Sequence, residues 1–132
     1  MTALDEFLQR SPYVRFLGME ARLEGGIVTG VLPFAKHLIG NPVLPALHGG
    51  VLGAFLEMTA LAQLAVAEPS RKRPKTIDVT VEYLRPGKPL DTYARAELRK
   101  VGRRIANVHV ECWQDDPAQP VAGLRGHFLL GE

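Results

Sequence analysis

Two periods divide the chain. Leu4, Phe7 and Leu8 recur at helical spacing, with Thr2 and Asp5 placed as a capping box and Ser11-Pro12 as the stop. From Leu17 the period falls to two: Leu17, Met19, Ala21 and Leu23 point one way, Gly18, Glu20 and Arg22 the other. Gly25-Gly26 predicts a hairpin turn and residues 27–32 the returning strand, stopped by Pro33. Residues 34–47 show no period. Their apolar members Leu38, Ile39, Val43, Leu44 and Leu47 predict an ordered, packed loop.

Residues 49–67 then carry Val51, Leu52, Phe55, Leu56, Met58, Leu61, Leu64 and Val66 with alanines between, which leaves hardly any polar face. A helix apolar almost all round is expected to be buried on most sides, and this one spans about 28 Å. Gly53, Ala54, Ala60, Ala62 and Ala65 let strands or a partner helix come close. The helix is short for a membrane span and holds Glu57 and Gln63, so no membrane is expected. Glu57 is the anomaly, because a carboxylate is costly to bury.

A basic turn follows, with Arg71-Lys72-Arg73 and Lys75. Four strand-like stretches come after it, at 76–84, 92–101, 105–113 and 121–130. The first sets Ile77, Val79, Val81 and Tyr83 against Asp78, Thr80 and Glu82. The second slips phase at Lys100-Val101, as a bulge would. Short turns join these four, which predicts an antiparallel meander. The expected fold class is α+β: one domain over residues 1–132, a curved antiparallel sheet of about six strands around one long central helix, and a short N-terminal helix.

Composition narrows the function. Hydrophobic residues at 46% and charged residues at 23% are ordinary for a globular domain. A net charge of +2 gives no argument for a nucleic-acid partner. A single cysteine, Cys112, excludes an intrachain disulfide framework and a cysteine-rich metal site, and fits a reducing cytoplasmic setting. Residues 1–10 contain Asp5 and Glu6 and no apolar core, so no secretory leader is expected. His37, His109 and His127 are far apart in sequence and no metal site is expected.

The chemistry-bearing pattern is a His-Gly-Gly closing a Pro- and Gly-rich loop, with a carboxylate nine residues after the His on the apolar helix. Gly40-Asn41-Pro42, Leu47-His48-Gly49-Gly50-Val51, Glu57, the stretch from Thr76 to Gly87 and Gly102-Arg103-Arg104 follow in order. In that order the chain resembles the hotdog-fold acyl-CoA thioesterases, in their phenylacetate-pathway (PaaI-like) branch. The family usually has one fewer residue between the loop Asn and the His, with a Gly in that interval where this chain has Pro45-Ala46. Many members carry Asp at the position of Glu57. The resemblance implies a homodimer, often paired again into tetramers, with active sites between subunits and an acyl-CoA substrate.

Thioester hydrolysis needs an activated nucleophile, an electrophile for the carbonyl oxygen and grip on the carrier. Glu57 is the candidate for the first, as general base or as direct nucleophile. A structural Glu held across a dimer interface would show the same pattern. Gly49 and Gly50 sit where loop becomes helix, so their N–H groups are orphan first-turn donors suited to an oxyanion. The resemblance makes the Gly49 amide the main one. His48 is expected either to bond the thioester or to fasten the loop to a backbone carbonyl. Asn41 orients water or carbonyl, or serves as a turn residue before Pro42. Thr76 is a strand residue by propensity; the resemblance makes it a water-positioning hydroxyl from the neighbouring subunit. Arg85, Arg103 and Arg104 are the expected grips on coenzyme A phosphates. No cofactor is expected. The competing functions are a hotdog dehydratase or hydratase, whose His-Phe-Pro-Gly signature is missing here, and a non-catalytic acyl-CoA-binding module, against which Glu57 argues.

Overall fold

The computed structural model describes residues 2–43 and 45–131, and for Asn41 the backbone alone. Helix α1 (Ala3–Arg10) opens on the expected capping box: Thr2 Oγ1 accepts from the Asp5 N–H at 3.1 Å, and Asp5 Oδ2 accepts from the Thr2 N–H at 3.2 Å. The Thr2 hydroxyl also donates to Asp5, and these bonds pull the Asp5 carboxyl below its ordinary range. Ser11-Pro12 is more than a stop. Ser11 caps a second helix, α2 (Pro12–Leu17), accepting from the Val14 N–H at 3.4 Å. Pro12 takes the first helical position, where its missing N–H costs nothing. Gly18 closes α2 at φ 75°. The alternation expected from Leu17 therefore starts only at Glu20.

Strands β1 (Glu20–Glu24) and β2 (Ile27–Leu32) form a hairpin about Gly25-Gly26. Both glycines have positive φ, 57° and 80°, as a two-residue turn of this hand requires. A one-turn 3-10 helix (Lys36–Leu38) and a small ribbon of β3 (Ile39–Asn41) and β4 (Ala46–Leu47) give the long loop its order. Helix α3 (Gly49–Ala67) follows, then β5 (Lys75–Tyr83), β6 (Thr92–Val101), β7 (Ile105–Trp113) and β8 (Ala122–Leu129).

The main sheet has six strands in the order β1-β2-β6-β7-β8-β5, antiparallel at every pairing. This corrects the expected four-strand meander. β6, β7 and β8 do run as one, but β5 pairs with β8 and not with β6. The reason is that β2 already occupies the far edge of β6, through Thr29–Leu32, and β7 the near one. Residues 84–91, with Pro86 and Pro89, carry the chain between the two places. The expected slip in β6 is a bulge that leaves Arg99 unpaired between Leu98↔Val108 and Lys100↔Asn107.

The inner face of the sheet buries Ala94, Ala106, Val108, Val110, Cys112, Ala122, Leu124 and Phe128 against Leu52, Phe55, Leu56, Ala60 and Leu64 of α3. Gln63 is buried on the same side of the helix. Its Oε1 accepts from the Val28 N–H and its Nε2 donates to the Gly26 carbonyl, both at 2.9 Å, so its polar atoms are satisfied and the helix is stitched to the first hairpin. The helix is not buried all round, however. It is apolar enough and, at 19 residues, long enough to cross a membrane, yet half of that stretch is buried by the chain. Ala54, Met58, Leu61 and Ala65 stay half-exposed on the side away from the sheet, and Gly53 and Glu57 are half-exposed beneath its β5 edge.

Cys112 lies inside this core, and burial pushes its thiol up to about 12. A thiol reagent at neutral pH should leave the native protein unlabelled and label Cys112 only after unfolding. Rapid native labelling would contradict the packing. The unfolded thiol ionises near 9.0 and the folded one near 12, so the folded state should lose stability as pH climbs through that interval.

Candidate active site

Helix α3 runs antiparallel to β5 and directly beneath it. Tyr83 lies against Gly49, Val81 against Gly53, and Thr76 against Glu57. The Thr76 hydroxyl donates to Glu57 Oε2 at 2.8 Å. Strict alternation would put Thr76 on the outer face with Asp78. A bulge prevents this: Thr76 pairs with Phe128 and Asp78 with His127, leaving Ile77 as the extra residue. Phe128 is wholly buried on the inner face, so its partner Thr76 faces the helix too. Asp78 is left on the outer face, where it meets His127 Nδ1 at 2.9 Å.

Two expectations change here. Glu57 is half-exposed rather than buried, and one of its oxygens is held by a hydroxyl. The Thr76 hydroxyl, implied to come from a neighbouring subunit, reaches the Glu57 of its own chain.

The start of α3 is equally defined. His48 is its N-cap. His48 Nδ1 accepts from the Gly50 N–H at 2.9 Å, and the His48 carbonyl accepts from Val51 and Leu52 at 2.9 and 3.2 Å. Among the described residues, nothing accepts from the Gly49 N–H. Of the two amides expected to face a carbonyl oxygen, that of Gly50 is spent on the cap and that of Gly49 is not. His48 fastens the loop to an amide, not to a carbonyl. With Nδ1 accepting, the neutral ring carries its proton on Nε2.

The loop is drawn tight behind His48. The β3–β4 ribbon pairs Ile39 with Leu47 and Asn41 with Ala46, so Gly40 is its extra residue. A Cβ on Gly40 would sit 3.0 Å from the His48 Cα, a contact that only glycine avoids. The His48 N–H donates to the Leu38 carbonyl and the Leu47 N–H to the Gly87 carbonyl, each at 2.9 Å. The side chain of Asn41 lies outside the described residues, as does Leu44. Beside the Gly49 amide opens a groove of about 370 Å³ lined by Leu47, Leu52, Tyr83, Leu84 and Pro86. Leu38 and Leu64 are wholly buried in the core and line no part of that groove.

The expected phosphate grips separate. Arg85 follows β5 at the Gly49 end of the helix, and its guanidinium donates to the Pro120 carbonyl. Arg103 and Arg104 lie at the opposite end, in the β6–β7 turn, near the level of Glu57 and Thr76. There they adjoin the basic turn, since the Arg71 guanidinium donates to the Arg103 carbonyl at 2.9 Å. Sequence reasoning missed Tyr83, whose hydroxyl donates to the Gly49 carbonyl at 2.7 Å. Its signal was a lone aromatic phenol at the end of an aliphatic strand face.

The model of the thioesterase superfamily matches residues 44–121. The medium/long-chain acyl-CoA thioesterase YigI of Salmonella typhimurium is 28% identical, over 95% of this chain and 89% of the relative. Among solved structures, a Chromobacterium violaceum protein is 39% identical with a TM-score of 0.77, covering 96% of this chain and 88% of that one. A phenylacetic acid degradation-related thioesterase of Ralstonia eutropha JMP134 is 25% identical with a TM-score of 0.79, covering 97% and 99%. With its sheet wrapped on one central helix, and with the match covering more than half its length, the chain belongs to the thioesterase superfamily and has its hotdog fold.

Proposed function

We propose that the chain hydrolyses acyl-CoA thioesters at a site shared by two copies of itself, with the Gly49 amide from one and Glu57, steadied by Thr76, from the other. Thioester hydrolysis itself comes with membership of the superfamily. The observation that carries the finer reading is the pairing of a hydroxyl-anchored, half-exposed carboxylate with a helix N-terminus whose first amide meets no acceptor among the described residues.

The chemistry follows from these groups. A carbonyl oxygen placed on the Gly49 N–H is polarised by that donor and by the positive end of α3. Glu57 takes a proton from water as the water oxygen bonds the carbonyl carbon, and the carbonyl π pair moves onto the oxygen held at Gly49. When the carbonyl reforms, the C–S bond breaks and coenzyme A leaves as a thiolate that collects the proton. Direct attack by Glu57, through an anhydride, needs the same placement. In both, Thr76 keeps the carboxylate aimed.

The distance along the helix supports a site built from two copies. Gly49 and Glu57 are eight residues apart on one helix, about 12 Å along its axis. Attack demands reacting atoms roughly 3 Å apart. A site drawn from two chains brings both groups to one thioester without spanning that length of helix. A two-fold axis that sets two α3 helices antiparallel brings Gly49 of each near Glu57 of the other. The sheet supplies the means. β1 exposes a short edge of five residues studded with Glu20, Arg22 and Glu24, while β5 exposes nine residues with no neighbour on that side among the described strands. A long open edge is a template for pairing. Pairing β5 with its symmetry mate would also cover the half-exposed stripe of α3.

One relative is named for medium- and long-chain acyl-CoA and another for phenylacetic acid degradation, which supports medium-chain, long-chain or aromatic acyl groups as the proposed substrates. Coenzyme A would lay its phosphates on Arg103 and Arg104 at the Glu57 end, with Arg85 marking the far mouth. The proposed location is the cytosol, where acyl-CoA is met and a lone reduced cysteine is at home.

A panel of acyl-CoAs with detection of free coenzyme A tests this. Glu57→Gln should lower kcat by roughly 10²- to 10⁴-fold while a non-hydrolysable acyl-CoA analogue still binds. Thr76→Ala should cost less, about tenfold, as it removes one charge-assisted hydrogen bond. Wild-type turnover in Glu57→Gln would sink the assignment, and tight analogue binding without any release by the native chain would mark a binding module. Sedimentation should show a dimer or a multiple of it; an active monomer would contradict the shared site.

A further inference from the structure

The Gly49 amide is useful only if it is held still, and glycine is the residue least able to hold itself. Two peptide planes meet at Gly49. The first joins His48 to Gly49 and carries the open N–H; its carbonyl is fixed by the Val51 and Leu52 amides. The second joins Gly49 to Gly50; its N–H is fixed by His48 Nδ1 at 2.9 Å, and its carbonyl by the Tyr83 hydroxyl at 2.7 Å. Of these restraints, the Tyr83 bond alone comes from outside the loop–helix junction. It ties the amide to β5, the same strand that carries Thr76.

The phenol lies in van der Waals range of two positions on α3. A Cβ on Gly49 would meet the Tyr83 ring at 3.4 Å, and one on Gly53 would meet the hydroxyl at 3.4 Å. The phenol thus lies over a notch formed by two glycines one helical turn apart. It buries little there, since Tyr83 remains 54% exposed. A phenylalanine would fill the notch as well. What the hydroxyl adds is direction.

We infer that Tyr83 is a positioning residue for the carbonyl-oxygen site: by holding the Gly49 carbonyl it restrains rotation of the Gly49 backbone between its two peptide planes and links the residue that carries the open N–H to the strand of Thr76. The inference rests on the proposed oxyanion role of Gly49. It gives a hydroxyl on the strand face a task that packing does not need.

The test is Tyr83→Phe in the full-length chain, which removes one oxygen from a largely exposed side chain and so leaves folding in place. Turnover of an acyl-CoA should fall about tenfold in kcat with KM within about twofold, the loss expected for one well-aimed hydrogen bond. A second readout does not need turnover. A ketone analogue, with a methylene in place of the thioester sulfur, keeps the carbonyl; a thioether analogue of coenzyme A lacks it. Tyr83→Phe should weaken binding of the ketone about three- to tenfold and leave the thioether unchanged. Equal weakening of both would make Tyr83 a merely structural residue, and wild-type kcat with wild-type ketone affinity would overturn the inference. If the native chain bound the ketone more tightly than the thioether yet hydrolysed nothing, the hydrolase reading would fail while the role of Tyr83 stood.

Discussion

The controlling constraint is that one sheet covers only half of an almost wholly apolar helix. The inner face of β6, β7 and β8 takes up Leu52, Phe55, Leu56, Ala60 and Leu64. The opposite stripe, Ala54, Met58, Leu61 and Ala65, is only partly buried, and Glu57 sits at its edge beneath β5. Apolar surface left in water weakens a fold of this size. The chain's stability and its chemistry therefore depend on the same uncovered stripe. In the proposed dimer, a second copy removes it from water and completes the site at once.

Each half of that site is fixed by a local irregularity. At the Glu57 end, the extra residue Ile77 in β5 turns Thr76 inward, where its hydroxyl reaches the carboxylate. At the Gly49 end, the extra residue Gly40 in β3 lets the loop close on His48, whose imidazole consumes the Gly50 amide and leaves that of Gly49 open. Bulges of this kind re-aim a side chain without changing the sheet. Both lie on segments braced by the same long helix, so the two halves keep a constant separation. That separation favours a site drawn from two chains, which makes the symmetry of assembly part of the proposed mechanism.

Much of this was legible in the sequence, and the failures have physical reasons. Period-two alternation located β6 and β7 at their observed bounds, because each of those strands has one wet face and one dry face. The pairing of β5 with β8 was not legible, since alternation says which face is buried but not which neighbour lies beside it. Helix α2 was hidden by Pro12, which ends a helix or begins one with equal ease. Glu57 stood out as an ionisable group among apolar ones, but its half-exposure could not be read, because a helix partly covered by one sheet has the same composition as one buried on all sides. The inward face of Thr76 was not legible, because the extra residue Ile77 breaks the alternation on which a count would rely. Gly50 was expected to donate to substrate because the acceptor on His48 Nδ1 is a matter of three-dimensional geometry. Arg85 was grouped with Arg103 and Arg104 on charge alone, and the register of the sheet sets them at opposite ends.

The central claim, that each site joins two chains, has a direct test in mixed dimers. Gly49 is the first helical position, and His48 before it already has the extended backbone (φ −62°, ψ 133°) that a following proline favours. Gly49→Pro therefore deletes the amide donor with little disturbance, and Glu57→Ala deletes the carboxylate. Each variant alone should be inactive. Dissociated and reassociated together at equal amounts, they should recover about a quarter of the native rate, because half of the dimers are mixed and each of those has one intact site. Mixtures that formed mixed dimers yet stayed as inactive as their components would contradict the account.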